Sequence, residues 1–174
     1  MTLAGEIVGF IAIVASLLIY QQKTEKGLLL NKGITDALWI VHYILIGGYT
    51  GAAITGVALI RGIVLFCNAQ RGVKSKGVLW IFMVASVICT AITWKSAFSI
   101  FPAVASLLAA VSYWIGKPKV LRLLSFPIST CMMIYGIYNG SVTVLINESL
   151  VMLSALLALI LQDRKDRKTA QIEA

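Results

Sequence analysis

The Lys and Arg residues of this 174-residue chain lie almost entirely on alternate connections between its apolar stretches. Those stretches predict membrane-spanning segments at 4–20, 33–49, 51–69, 77–94, 98–115, 120–138 and 141–161. Thirteen of the 15 basic residues follow the first, third, fifth and seventh stretches: Lys23, Lys26, Lys32, Arg71, Lys74, Lys76, Lys117, Lys119, Arg122, Arg164, Lys165, Arg167 and Lys168. Lys and Arg are enriched in cytoplasmic loops. The pattern therefore predicts seven crossings, with the N-terminus outside and the C-terminus in the cytoplasm.

The composition indicates an all-α integral membrane protein. The chain is 59% hydrophobic with a mean hydropathy of +0.91, and its apolar stretches suit a hydrocarbon core about 30 Å thick. Backbone groups in lipid must be paired within the segment, which favours helices. The formal charge of +8 lies on the predicted cytoplasmic face, where it would meet anionic lipid. We therefore expect the lipid bilayer as a partner and no nucleic acid, and leave a homo-oligomer open.

Motifs of enzymes and metal sites are missing from the sequence. Cys67, Cys89 and Cys131 lie in apolar stretches without metal-ligand spacing. No HExxH, GxSxG or GxxxxGK pattern occurs, so we expect no enzyme activity, metal or cofactor. The chain begins MTLAGEI without a basic region before the apolar stretch, which predicts a retained first span rather than a cleaved signal peptide.

Two short similarities suggest an internal repeat. Residues 14–18, VASLL, recur at 104–108, an offset of 104 − 14 = 90, and Tyr49-Thr-Gly51 resembles Tyr138-Asn-Gly140 at an offset of 89. A chance match in so biased a composition is the alternative. The repeat reading predicts two parallel three-helix units joined by one helix, a known transporter plan. The predicted division is a first unit at 1–72, a linker helix at 73–96, a second unit at 97–162 and a frayed basic tail at 163–174.

The chain resembles the SWEET and PQ-loop group of small-solute transporters, and within it the YgjV family of bacterial inner-membrane proteins. The resemblance rests on residues 39–47 (WIVHYILIG), the Ala-rich run that ends at Arg61, residues 135–140 (YGIYNG) and Asn147-Glu148. It implies a 3+1+3 plan in the bacterial inner membrane. The sugar-transporting relatives pair two Asn residues, whereas Asn147 here is matched by Ala58. The first span also lacks the proline of a PQ-type hinge, which the fifth and sixth have as Pro102 and Pro127.

Polar side chains within the apolar stretches form the candidate solute-binding site. At about 1.5 Å of rise per residue, Arg61 lies ~15 Å from Gly51, His42 ~13 Å from Gly51, and Glu148 ~12 Å from Gly140. Buried ionisable groups at one depth are typical of transport sites. The predicted substrate-binding residues are Trp39, His42, Arg61, Asn147 and Glu148.

Each member of this set also has a purely structural interpretation. Arg61 and Glu148 could form a permanent buried ion pair between the third and seventh helices. His42 could be a satisfied core histidine, and Trp39 could face lipid. Two further acidic residues, Glu6 and Asp36, are expected near span ends, where they either reach interfacial water and solvate the helix termini or are dipole partners for helix N-termini.

These observations support two functions. The first is a carrier that moves a small-molecule polar solute by alternating access between the two units. The alternative is a non-transporting membrane receptor or assembly scaffold in which the ion pair is structural. A water-filled cavity that reaches Arg61, Glu148 and His42 would favour the carrier, and a dry, sealed cluster would favour the receptor.

Reporter fusions test the predicted topology. Fusions after Gly51 and Gly140 are expected to be active outside the cytoplasm, and fusions after Lys76 and Lys165 inside it, because the basic connections stay in the cytoplasm. Periplasmic alkaline phosphatase and cytoplasmic fluorescent protein would serve as reporters. Opposite locations for the Gly51 and Gly140 fusions would contradict the 3+1+3 plan.

Overall fold

The computed structural model describes residues 3–19, 25–72, 76–115 and 118–172. These residues form seven α-helices and one 3-10 turn (Ala97–Ser99), and none of them is in a strand. Three loop residues used for the topology prediction, Lys23, Lys74 and Lys117, lie outside the described residues. The helices are α1 (Leu3–Ile19), α2 (Glu25–Leu45), α3 (Tyr49–Gln70), α4 (Lys76–Ile92), α5 (Ile100–Ile115), α6 (Pro118–Tyr138) and α7 (Val142–Ile172).

Three helical segments are long and apolar enough to cross a membrane: Tyr49–Asn68, Lys119–Tyr138 and Val142–Ile160. Three others are apolar but have 10–17 residues: Leu3–Ser16, Lys76–Ile92 and Ala97–Ser112. The all-helical expectation is therefore confirmed for the described residues.

The bounds of two helices differ from the sequence expectation. The second span was expected at 33–49, but α2 runs from Glu25 to Leu45 and includes polar residues that hydropathy excludes. Lys32 and Asp36, one turn apart, form an ion pair that satisfies both charges within the helix. Asp36 thus lies inside α2 and not near a span end. The tail, expected to be frayed after residue 162, continues α7 as helix to Ile172.

The α2–α3 and α6–α7 turns have the same hydrogen-bond pattern. Gly47 (φ 75°) and Gly140 (φ 67°) adopt the left-handed conformation that glycine reaches without a steric penalty. Gly48 N donates to Tyr43 O at 2.8 Å, and Ser141 N donates to Gly136 O at 2.9 Å, as in a Schellman motif. Equivalent residues are 140 − 47 = 93 apart. The pairing of Gly51 with Gly140 was therefore wrong, because Gly51 lies within α3.

Six helices pack in a closed ring, in the order α1, α2, α3, α5, α6, α7 and back to α1. The first three helices contact the last three at two places in the ring. At one place α3 packs against α5, and at the other α7 packs against α1. The fourth helix lies outside the ring, against α3 and α5.

The core lies inside the ring, toward the end at which the two turns are found, which we call the turn end. Buried apolar residues there come from five helices of the ring: Ala12, Ile13, Trp39, Tyr43, Ala52, Tyr135 and Val144. Three of these seven side chains are aromatic, so bulky rings fill the centre at this end.

The close approach of α1 to α2 and α7 depends on Gly9. A Cβ atom there would lie 2.3 Å from Thr143 Oγ1 and 2.8 Å from His42 Nδ1, both of which are fully buried. Gly5 and Gly9, four residues apart, are typical of small residues that permit such an approach between membrane helices. Gly56, by contrast, has no atom within 4 Å of an added Cβ.

We expect Gly9→Ala to lower the free energy of unfolding by about 1–3 kcal/mol, because overpacking displaces buried side chains. Gly56→Ala is the matched control and is expected to be neutral or to stabilise by up to about 1 kcal/mol. Thermal unfolding of both variants in detergent measures the difference. Equal melting temperatures would show that α1 does not approach its neighbours this closely.

Candidate functional site

His42 joins α2 to both α1 and α7 at the turn end. Its side chain is fully buried, with Nδ1 2.8 Å from Gly5 O and Nε2 3.0 Å from Ser141 Oγ. A carbonyl oxygen only accepts, so Nδ1 carries the proton that is donated to Gly5. In the neutral ring, Nε2 then accepts a hydrogen bond from the Ser141 hydroxyl group. Both ring nitrogens are thus occupied by protein groups.

Ser141 and Glu6 satisfy the N-terminal N–H groups of α7. Ser141 Oγ accepts from Val144 N at 3.2 Å, as an N-cap residue does, and lies 3.1 Å from Thr143 Oγ1. Glu6 Oε2 on α1 accepts from Thr143 N at 3.0 Å. The expectation that Glu6 is a dipole partner for a helix N-terminus is therefore confirmed, and that helix is α7.

Tyr135 on α6 makes a similar contact. It lies 135 − 42 = 93 residues after His42, the same separation as that of the two turn glycines, and its hydroxyl group accepts from Gly51 N at 3.2 Å in the first turn of α3. His42 on α2 thus reaches the N-terminal end of α7, and Tyr135 on α6 reaches that of α3. We refer to the His42–Ser141 and Tyr135–Gly51 hydrogen bonds as the reciprocal contacts.

Aromatic rings fill the space between the reciprocal contacts. The Trp39 and His42 rings are 5.2 Å apart, edge to face, which confirms that the two residues share a helix face. Trp39 is 8% exposed, so it packs inside the bundle and does not face lipid. The Tyr43 and Tyr135 rings are 6.2 Å apart and join α2 to α6. Neither tyrosine was among the predicted site residues.

Asn147 and Glu148 lie together further along α7. Asn147 Nδ2 donates to Glu148 Oε1 at 3.2 Å. Ser129 on α6 lies beside the Glu148 carboxyl group, and Tyr43 on α2 is within its electrostatic range. Glu148 therefore belongs to the α2, α6 and α7 side of the ring.

Arg61 lies on a different side of the ring, between α3, α4 and α5. Its Nη1 donates to Ser106 O at 3.2 Å and to Ser106 Oγ at 3.4 Å. Ser106 Oγ lies 2.9 Å from Ser86 Oγ, which donates to Phe82 O at 2.8 Å. A cavity of about 10 Å³ adjoins Arg61, which is roughly the volume that one water occupies and too small for a solute.

The expected ion pair between Arg61 and Glu148 is not formed. Among the residues whose side chains are described, the ion pair within 4.0 Å joins Lys32 to Asp36. The physical reason is the order of the ring, in which α3 packs on α2, α4 and α5 while α7 packs on α6 and α1. A shared depth along two helices therefore did not make them neighbours.

The expected common depth of the three ionisable residues is also corrected. His42 precedes the end of α2 by 45 − 42 = 3 residues, or about 5 Å, whereas Glu148 lies about 9 Å into α7 and Arg61 about 18 Å into α3. The estimate from sequence measured His42 from Gly51, which is inside α3. His42 is consequently a turn-end residue.

The fold and these contacts define an all-α membrane protein in which polar side chains such as His42 and Arg61 form hydrogen bonds between helices. The chain belongs to a family of bacterial inner membrane proteins, Imp-YgjV, because that family model matches residues 3–166. No curated protein and no solved structure matches the chain. The YgjV resemblance is thus confirmed, while the link to the SWEET and PQ-loop transporters stays a prediction.

Double-mutant cycles test the observed partners of Arg61. Ser106→Ala removes the Oγ acceptor and leaves the backbone carbonyl, so Arg61→Met combined with Ser106→Ala is expected to show a coupling of about 0.5–1.5 kcal/mol. Arg61→Met combined with Glu148→Gln is expected to be additive within about 0.5 kcal/mol, because the two residues lie on different sides of the ring. The free energy of unfolding in detergent is the measurement. A larger coupling of Arg61 with Glu148 than with Ser106 would contradict the observed contacts and would support the ion pair.

Proposed function

We propose that this protein is an inner-membrane carrier for a small polar solute that works by alternating access. The proposal includes seven crossings, an outside N-terminus and two parallel three-helix units joined by α4, as in SWEET-like and PQ-loop-like transporters. It involves no enzyme activity, metal or cofactor. The turn end would face outside and is closed in this conformation.

The observation that carries the proposal is the pair of reciprocal contacts. Equivalent residues of the two units, His42 and Tyr135, close one end of the ring by reaching into each other's unit. The repeated turn, at a constant offset of 93, supports a duplicated unit. Two similar halves that meet at one end can separate there by a small rotation, which is how repeat-built carriers expose a central site.

The free energy of the contacts that close the turn end is small enough for a reversible gate. The reciprocal contacts are hydrogen bonds, each of which contributes about 1 kcal/mol net. Conformational states that a ligand can interconvert differ by a few kcal/mol. Pro127 inside α6 removes one backbone hydrogen bond of that helix and supplies a place at which it can bend.

The predicted substrate-binding residues fall into two groups within this proposal. Trp39, His42, Asn147 and Glu148 would line the solute path when the turn end opens. Arg61 lies at the α3–α5 contact, so it would reach the solute only from that side of the ring.

Cysteine accessibility tests alternating access without knowledge of the solute. With the free Cys67, Cys89 and Cys131 replaced by Ala, Asn147→Cys is the reporter. A membrane-impermeant thiol reagent is expected to label it in both right-side-out and inside-out vesicles, because each state opens a different end. Lipid-facing Ser149→Cys is the matched control.

Loss of one reciprocal contact supplies the second arm of this test. Tyr135→Phe removes the hydroxyl group that accepts from Gly51 N and keeps the ring. It is expected to increase labelling of Asn147→Cys from the outside only, because it weakens the closed state of the turn end. Labelling from one face alone in the protein with Tyr135 intact would contradict the carrier.

One observation favours the alternative function, a non-transporting receptor or scaffold. His42 is fully buried and uses both ring nitrogens within the protein, as a permanent structural histidine does. A scaffold predicts that Asn147→Cys stays unlabelled from the outside under all conditions. Comparing metabolites in cells with and without the protein, followed by uptake into proteoliposomes, would identify a solute for the carrier.

A further inference from the structure

The Glu148 side chain is directed toward the interior of the bundle. Val144 precedes it by one helical turn and is 1% exposed, and Ala155, two turns further, is 7% exposed. Residues spaced by four and seven positions share one face of a helix. Glu148 therefore lies on the buried face of α7, where an acidic side chain is energetically expensive unless it has a partner.

The described contacts of Glu148 are with uncharged groups. Its Oε1 accepts from the Asn147 amide at 3.2 Å, and Ser129 and Tyr43 lie nearby. The basic residue expected as its partner, Arg61, instead donates to Ser106 on α5. Within the described part of the chain, the ion pair that is formed joins Lys32 to Asp36, so the Glu148 carboxyl group is not paired with a described basic side chain.

Ser129 provides a second indication of a ligand at this place. Its side chain is 1% exposed, and its Oγ atom, which lies beside the Glu148 carboxyl group, makes no hydrogen bond of standard length and angle among the described residues. A buried hydroxyl group without a partner costs about 1–3 kcal/mol. By contrast, the hydroxyl groups of Ser125 on the same helix and Ser149 on α7 donate to backbone carbonyls one turn earlier.

We propose that Glu148, Asn147 and Ser129 bind the primary ammonium group of a small amine. This inference rests on the proposed function and specifies the class of its solute. Three acceptors lie on adjacent faces of α6 and α7: the second carboxylate oxygen of Glu148, the carbonyl oxygen of Asn147 and the hydroxyl oxygen of Ser129. A primary ammonium group has three N–H donors and no acceptor, which matches this set.

Other cations fit these groups less well. A divalent metal ion takes six or more oxygen ligands, usually several of them carboxylates, and this site has one carboxylate. A quaternary ammonium ion has no N–H donor and would leave the Ser129 hydroxyl group unsatisfied. A neutral alcohol would leave the Glu148 charge uncompensated.

Ligand-dependent thermal stability of the purified full-length protein tests the inference. The probes are ethanolamine as a primary amine, tetramethylammonium as a cation without donors, and ethylene glycol as a neutral analogue of similar size, each at equal ionic strength. Ethanolamine is expected to raise the melting temperature with a saturating dependence, since a ligand that binds the folded state stabilises it. The other two probes are expected to give smaller shifts.

Three variants assign the effect to this site. Glu148→Gln is expected to weaken ethanolamine binding about ten- to hundredfold, because it removes a charge-assisted hydrogen bond. Ser129→Ala is expected to weaken binding severalfold, because it removes one of the three acceptors and leaves the Glu148 carboxyl group in place. Ser149→Ala is the matched control and should respond like the wild type.

The outcomes separate this inference from the proposed function. Protection by ethanolamine that Glu148→Gln abolishes supports the amine site even if Asn147→Cys is labelled from one face only, which would reject the carrier alone. An absent ethanolamine shift, an equal shift with ethylene glycol, or a full shift in Glu148→Gln would overturn the amine site. Labelling from both faces would then leave the carrier standing, with a solute of another class.

Discussion

The N–H groups at the N-terminal end of α7 need hydrogen-bond acceptors from outside the helix, and this need determines how α1, α2 and α7 pack together. The first N–H groups of a helix have no partner within it, and the bilayer offers no water to replace one. Here Ser141 and Glu6 accept two of these N–H groups, and His42 holds Ser141 in place. The contact brings α1, α2 and α7 so close together that position 9 has room only for glycine.

A side chain also reaches the N-terminal end of a helix in the other half of the chain, with different chemistry. There Tyr135 has a phenol group where His42 has an imidazole ring, and it accepts directly from the backbone N–H group of Gly51. The two contacts lie on either side of the Tyr43 ring, which touches both His42 and Tyr135. A gate of this kind is held by a few hydrogen bonds and aromatic contacts, while the larger helix interfaces lie within each half.

Local features of the fold could be predicted from the sequence, and features that depend on long-range packing could not. The helical spacing of Trp39 and His42 follows from a rule of one turn, whereas Glu6 caps a helix 137 residues away, which the sequence did not identify. The bounds of α2 were missed because the Lys32–Asp36 pair lowers hydropathy without ending the helix. Ser129 carried no signal beyond an apolar surrounding, and Tyr43 and Tyr135 lay in the stretches of the family resemblance without being marked as site residues. Arg61 and Glu148 were matched by depth alone, which does not specify the angular order of helices in a ring.

The central claim is that the turn end opens and closes, and the distance between the first turns of α3 and α7 measures this most directly. Spin labels at Tyr49 and Val142, both exposed, would report it by double electron–electron resonance in lipid nanodiscs. The account predicts two distance populations, of which the longer grows when Tyr135→Phe removes the hydrogen bond to Gly51. A single narrow distance that neither Tyr135→Phe nor any added amine changes would contradict it and would favour a permanently closed scaffold.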